Sequence, residues 1–260
     1  MKKRKNGNKT QHRQTMILRF LKEHGKAQVD DLADLLKTTQ QTIRKDLSVL
    51  ESEGQITRFH GGALLLAGTE YASFTVRNEI AREEKQSIGR AAAKELPNNC
   101  SIMLNAGTTT TAVARRLRHH AGLKVVADSV YLANLVREFP GVEVMVPAGI
   151  VRTADGAILG ETAVDFIKQI RADFAVIGAV AIAPDGALLD YDLREIAVTK
   201  AIIANARKVI LTADSSKFGS FAPMCFGQLD SVDTLVTDKN CPQALEKLCA
   251  ECDVELVKAD

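Results

Sequence analysis

At 260 residues the chain has room for one large or two ordinary domains, and its 46% hydrophobic and 25% charged residues are typical of a folded globular protein. That excludes disorder throughout, and the absence of Trp with only 5% aromatics argues against a surface that stacks nucleic-acid bases. The net charge of +2 hides an asymmetry: residues 1–60 hold 13 Lys and Arg against 7 Asp and Glu, while the other 200 hold 21 against 25. A basic head therefore precedes an acidic body, suited to meeting a polyanion or simply to staying in solution.

Residues 1–9 are almost wholly polar, with Lys2, Lys3, Arg4, Lys5 and Lys9, and read as a basic mobile arm. Three helical patterns follow. His12–His24 sets Met16, Ile17, Phe20 and Leu21 on one face, and Gly25 stops it. Val29–Leu36 sets Val29, Leu32, Leu35 and Leu36 inward. After the connector Lys37-Thr38, Thr39 is an N-cap for a helix running to about Glu53.

In that third helix Ile43, Leu47 and Leu50 form a buried stripe, while Gln41, Arg44, Lys45 and Ser48 share the opposite face at ~100° per residue. Two cations and an amide without a carboxylate suit a major groove, where Gln pairs with adenine and Arg grips guanine by two parallel hydrogen bonds. The alternative is a solvated face of an ordinary bundle. Ile56-Thr57-Arg58-Phe59, His60-Gly61-Gly62 and Ala63-Leu64-Leu65 alternate around two glycines as a β-hairpin. Such a wing brings Arg58 and His60 within reach of phosphates or the minor groove. Residues 66–78 read as a linker.

Residues 10–65 resemble the winged helix-turn-helix of the DeoR family of bacterial transcription regulators. The resemblance is carried by Gln40-Gln41-Thr42-Ile43-Arg44-Lys45-Asp46-Leu47, Leu50-Glu51, Ile56, Arg58 and His60-Gly61-Gly62-Ala63. It implies that Ala27–Asp46 is the helix-turn-helix proper and that Thr39, Gln40 and Thr42 join Gln41, Arg44, Lys45, Ser48, Arg58 and His60 at DNA.

From residue 79 to 260 short apolar strands alternate with amphipathic helices. Helices are expected at Glu79–Leu96, Thr108–His119, Ser129–Phe139, Leu193–Asn205 and Pro242–Cys252. Strands are expected at Ser101–Leu104, Leu123–Ala127, Val142–Val146, Ala175–Ile177, Lys208–Thr212, Thr234–Val236 and Val254–Val257. The fold class is α/β: a small winged helix-turn-helix domain followed by a larger domain with a mostly parallel sheet covered on both faces.

Ligands of such sheets bind at the carboxyl ends of the strands, which nominates four loops. In the first, Asn105-Ala106-Gly107-Thr108-Thr109-Thr110-Thr111, glycine frees the backbone, and hydroxyls and N–H groups gather as an anion site. The plainer reading is a capped helix, and no P-loop lysine follows. The others are Asp128-Ser129, Gly149 with Arg152, and Asp214-Ser215-Ser216-Lys217, where Lys217 either neutralises a phosphate or is a surface lysine. Four polar loops on one sheet edge argue better than any one of them.

Residues 79–260 are similar to the DeoR family's C-terminal sensor domain, matching at Asn105-Ala106-Gly107-Thr108-Thr109, Gly149, Gly160-Glu161, Gly178, Glu195, Lys200 and Asp214–Gly219. The resemblance implies an isomerase-like fold sensing a phosphorylated sugar or polyol, with Gly178, Glu195 and Lys200 in the effector site. The family usually has Asp in place of Asn105, and Asn-Ser or Asn-Asn in place of Asp128-Ser129. An isomerase with an appended DNA-binding module is the alternative function. Aligned without gaps, however, the isomerase's carboxylates fall on Ile177-Gly178-Ala179-Val180 and Val198-Thr199-Lys200, which carry none. Asp190, Asp192 and Glu195 then read as groups accepting hydrogen bonds from a diol. An architectural DNA binder indifferent to metabolites is the third possibility.

Five cysteines, an odd count, argue against a disulfide framework, and Cys249-Ala250-Glu251-Cys252 lacks the partners of a zinc site. No metal or other cofactor is expected. The longest apolar run, Phe174–Ala183, is short of the ~20 residues that span a bilayer. The expectation is a cytoplasmic homodimer or homotetramer that represses a carbohydrate-utilisation operon by binding double-stranded operator DNA. An effector releases it, and no residue is catalytic.

Overall fold

The computed structural model describes residues 3–24, 26–52, 55–59, 61–65 and 74–260. The chain divides into two compact units, Met1–Ala72 and Ser73–Asp260.

The first unit opens with α1 (Lys3–His24), so the backbone over most of the expected arm continues a helix. Lys, Arg and Gln lose little rotamer freedom in a helix, and polar composition alone does not stop one. β1 (Lys26–Gln28), α2 (Val29–Leu35), α3 (Gln40–Ser52), β2 (Ile56–Phe59) and β3 (Gly62–Leu65) complete the unit. Its sheet has the order β1-β3-β2, antiparallel throughout. β1 was not foreseen, because three residues carry no readable period. Ile17, Leu18, Leu21, Leu32, Ile43, Leu47, Leu50 and Ile56 form the core. Leu18 replaces the expected Met16, and Leu35 is 51% exposed. At ~100° per residue Leu35 lies about 120° round α2 from Val29 and cannot share its face. Lys37, with φ 48°, turns the chain between α2 and α3.

The second unit begins with α4 (Phe74–Glu79) and α5 (Arg82–Lys94). Residues 74–78 are thus helical where the end of the 66–78 linker was expected, and the single helix expected from Glu79 is broken at Ala81, whose φ is 50°. The buried Lys85 ammonium donates to the Arg77 and Ile80 carbonyl oxygens at 2.6 and 2.8 Å, satisfying the end of α4. Then come β4 (Ser101–Leu104), α6 (Thr108–Ala114), β5 (Leu123–Ala127), α7 (Val130–Val136), β6 (Val142–Met145), β7 (Ile150–Val151), β8 (Ile158–Leu159) and α8 (Glu161–Lys168). The rest is β9 (Ala172–Gly178), β10 (Ala181–Ile182), β11 (Ala187–Asp190), α9 (Leu193–Ala204), β12 (Ala206–Thr212), β13 (Met224–Gln228), β14 (Thr234–Asp238), α10 (Gln243–Glu251) and β15 (Glu255–Ala259).

A seven-stranded sheet runs β15-β14-β12-β9-β4-β5-β6, with every pairing parallel. Its strands are apolar on both faces because both are covered. Met103 joins the core made with α8, α9 and α10, while Ile102 and Leu104 join the one made with α5, α6 and α7. β7 pairs with β8, and β10, β11 and β13 form a small antiparallel sheet; none of these strands was anticipated.

Gly89 sits where α5 crosses α6. A Cβ there would lie 2.5 Å from the Ala112 carbonyl oxygen and 2.6 Å from its carbon, both backbone atoms that cannot swing aside. Gly89→Val should cost about 1–3 kcal/mol by overpacking, lowering the melting temperature by roughly 2–4 °C per kcal/mol. An unchanged thermal transition would refute so close a crossing.

Candidate functional site

Each unit carries one candidate site. In the first, α3 presents Thr39, Gln40, Gln41, Arg44, Lys45 and Ser48 to solvent, with Thr42 half-buried. Thr39 caps the helix as expected. Its Oγ1 accepts from the Thr42 N–H at 3.2 Å and lies 2.9 Å from the Thr42 hydroxyl, so both threonines are engaged in the cap. Arg44 donates to the Gln40 Oε1 at 3.1 Å, which holds the guanidinium along the outer face. Arg58 from β2 donates to the Ser48 Oγ at 3.1 Å, while its backbone N–H donates to the Glu51 carboxylate at 3.1 Å. Glu51 thus anchors the wing strand to α3. His60 lies outside the described residues.

Asp46, on the same helix, is 3% exposed and paired in a bidentate manner with Arg13 of α1. This pair was missed, since 33 residues separate its members. It turns the helix's one central carboxylate inward and leaves the outer face of α3 cationic around Arg44 and Lys45.

In the second unit β4 and β9 are neighbours from which the strand order runs outward in both directions, and their carboxyl ends open the crevice where such sheets bind ligands. Asn105 spans it. Its N–H donates to the Val176 carbonyl at 3.2 Å, and its Oδ1 accepts from the Gly178 N–H at 3.0 Å. The buried Thr110 hydroxyl lies 2.8 Å from the Asn105 carbonyl oxygen and 3.0 Å from that of Gly107, and Thr111 donates to Gly107 at 2.6 Å. Those two hydroxyls are spent on their own loop. Among the described residues, no protein group hydrogen-bonds the Thr108 or Thr109 hydroxyl.

Ser129 Oγ accepts from the Leu132 N–H at 3.5 Å and caps α7. Gly149 has a packing reason: a Cβ would lie 2.7 Å from the Leu159 carbonyl oxygen of β8. Lys217 is half-buried in the turn Ser215–Lys217. Asp214 caps that turn, accepting from the Ser216 N–H at 3.2 Å, and Asp238 accepts from the Ser215 N–H at 2.6 Å. Lys200 is exposed, and on α9 it lies roughly 140° from the buried Glu195, so the helix does not bring the two to one face.

Arg152 departs most from expectation. Its guanidinium donates to Asp155 at 2.9 and 2.7 Å, to Asp192 at 3.1 Å and to Glu195 at 2.6 Å. It organises carboxylates, and two of the three read as diol acceptors, Asp192 and Glu195, are its partners. Arg77 joins from α4, reaching Asp155 at 3.1 Å, and Arg194 reaches Asp192 at 2.7 Å. Burial works against the Asp155 charge, but the Arg152 hydrogen bonds and charge outweigh it and hold the carboxyl below its usual range. The Arg194 side chain does the same for Asp192. Two further carboxyls shift the other way. Burial, then the nearby Glu195, lifts Asp190 to about 7 and pushes Asp128 well above the carboxylate range.

Among the described residues, no group of three or more His, Cys, Asp or Glu is placed to hold a metal ion. Burial pushes the Cys249 thiol up to about 11, away from the thiolate form that redox chemistry needs. No described helix is long and apolar enough to cross a membrane.

Residues 13–69 match the DeoR-like helix-turn-helix domain, and residues 80–239 match the DeoR C terminal sensor domain. The chain belongs to the DeoR family. It is 35% identical over 245 residues to the HTH-type transcriptional repressor CsqR of Escherichia coli (strain K12), covering 94% of each chain. It is 34% identical over 248 residues to the Glycerol-3-phosphate regulon repressor of the same strain, covering 95% of this chain and 98% of the relative. A solved D-ribose-5-phosphate isomerase in complex with phospho-erythronic acid superposes with a TM-score of 0.41 at 19% identity, over 53% of this chain and 54% of that one. So shallow a likeness has no bearing on function. Family membership, with repressors as near full-length relatives, makes this DeoR-family chain a DNA-binding transcriptional repressor and not an enzyme.

Proposed function

We propose that this repressor grips operator DNA through the outer face of α3 and is released when a phosphorylated sugar or polyol settles at the crevice between β4 and β9. The regulated genes would serve carbohydrate use. Arg44 and Gln41 supply base preference, and Lys45 with the basic head supplies affinity by displacing counterions from phosphates. One such head reads few bases, so the working form is a homodimer or homotetramer on repeated half-sites.

The observation that carries the effector reading is the loop Asn105–Thr109. It lies at the point where the strand order reverses, it is opened by Gly107, and it holds two hydroxyls without a protein partner. Lys217 at the neighbouring strand end adds a cation, and Asp190 adds a hydroxyl acceptor. A relative named for the glycerol-3-phosphate regulon, glycerol 3-phosphate being a phosphorylated polyol, supports the same class. Coupling of about 1–3 kcal/mol between the two sites would change operator affinity by roughly 5–150-fold.

The test is a melting-temperature and operator-release titration with phosphorylated C3–C6 sugars and polyols beside their unphosphorylated counterparts. A phosphorylated member should raise the melting temperature by mass action and release DNA, while its parent does neither. Thr109→Glu should keep operator binding and lose the response, because a fixed negative charge repels the phosphate. A normal response in that variant would mean the phosphate sits elsewhere.

A further inference from the structure

Asp128 follows β5 and is 3% exposed. The backbone N–H of Ala106, in the first crevice loop, faces its carboxyl. The oxygen Oδ1 is buried and has no hydrogen-bond partner among the described residues. The charged side chains around it are Glu195 of α9 and Asp155 and Arg152 from the segment between β7 and β8. Arg152 is already shared among Asp155, Asp192 and Glu195. Asp128 therefore has like-charged neighbours and no cation of its own, next to a loop with two unspent hydroxyls.

We infer that Asp128 is a specificity-determining residue of this pocket, offering one hydrogen-bond donor to an oxygen on the carbon chain of an effector whose phosphate lies on loop 106–109. This rests on the effector reading above and adds which atom reads the organic part. The chemistry follows from the surroundings. A carboxyl removed from water beside other carboxylates keeps its proton, and burial displaces Asp128 in that sense. Oδ1, the oxygen that no described protein group engages, is the one free to present the proton to a ligand. An acid in that state donates where an ionised carboxylate would only accept. A buried donor without a partner is costly, and an effector oxygen removes the cost as it binds. Selection then favours a hydroxyl or carbonyl oxygen at that carbon over a methyl group or a bare hydrogen.

Asp128→Asn supplies the discriminating test. The amide has the same shape, and its NH2 can present a donor at the position of Oδ1. Asp128→Ala removes the donor. Binding would be measured by calorimetry on the full chain with phosphorylated C3–C6 sugars and polyols, and with inorganic phosphate as a probe of the loop alone. Relative to wild type, Asn should hold its affinity for the best sugar or polyol phosphate within about threefold, while Ala loses about tenfold or more. All three should bind inorganic phosphate alike, which a general structural defect would not allow. The inference fails if Ala binds the organic phosphate as wild type does. It also fails if Asn loses as much as Ala, which would mean that a charged carboxylate holds a cationic group. A wild type that prefers no panel member to inorganic phosphate refutes it too. Absence of any saturable phosphate binding to wild type would instead sink the phosphate seat itself, and this inference with it.

Discussion

Arg152→Met should destabilise the larger unit by about 3–5 kcal/mol at neutral pH, because it strips one guanidinium from three carboxylates that are all nearly buried. Methionine fills much of the same volume, so the loss reports charge and hydrogen bonding more than a cavity. The pH dependence gives the sign. Asp155 and Asp192 are held below their usual range in the folded state, so their stabilising contribution is present above the unfolded carboxylate value of ~4 and fades as the pH falls through the folded values. The deficit of Arg152→Met should therefore be full near pH 7 and shrink as the pH falls below about 4, where the paired carboxyls of the wild type take up protons. Denaturant midpoints of both proteins across that range measure it. A deficit that stayed constant with pH would refute the charge argument.

Arg44→Ala is expected to weaken operator binding by about 1–3 kcal/mol, roughly 5–150-fold, and to flatten the preference between operator and random DNA. The Gln40 hydrogen bond holds the arginine in place before DNA arrives, so little side-chain freedom remains to be lost on docking. Lys45→Ala should behave differently. It should weaken all sequences alike and lower the salt slope by about one unit, as a phosphate contact does. Both belong in one titration series at fixed ionic strength. If Arg44→Ala kept full operator preference, α3 would not be the reading helix.

The strands β4 and β5 could be read from the sequence to the residue, because a short apolar run bounded by turn residues has one interpretation in an alternating α/β pattern. The outer face of α3 was equally legible, since helical period alone separates Arg44 and Lys45 from Ile43 and Leu47. Apart from β9, the stretch from Gly149 to Asp192 was not. β7, β8 and β10 are two residues long and show no period, and their pairings are set by neighbours distant in the chain. The same applies to the pocket. The Asn105 loop announces itself by glycine and hydroxyls, but nothing in sequence spacing marks that Arg152 will meet carboxylates 3, 40 and 43 residues away. The sequence reading placed Arg152 with Gly149 among the effector loops because both follow a strand end. Asp128 was named, but its isolation among like charges appears only once α9 is folded over it.

Asp155 holds Arg152 with both carboxylate oxygens and Arg77 with one of them. Arg77 belongs to α4, the first described helix of the larger unit. A carboxylate has a limited set of lone pairs to divide between two arginines. One carboxyl group thus fastens the opening helix of the larger unit to the turn between β7 and β8.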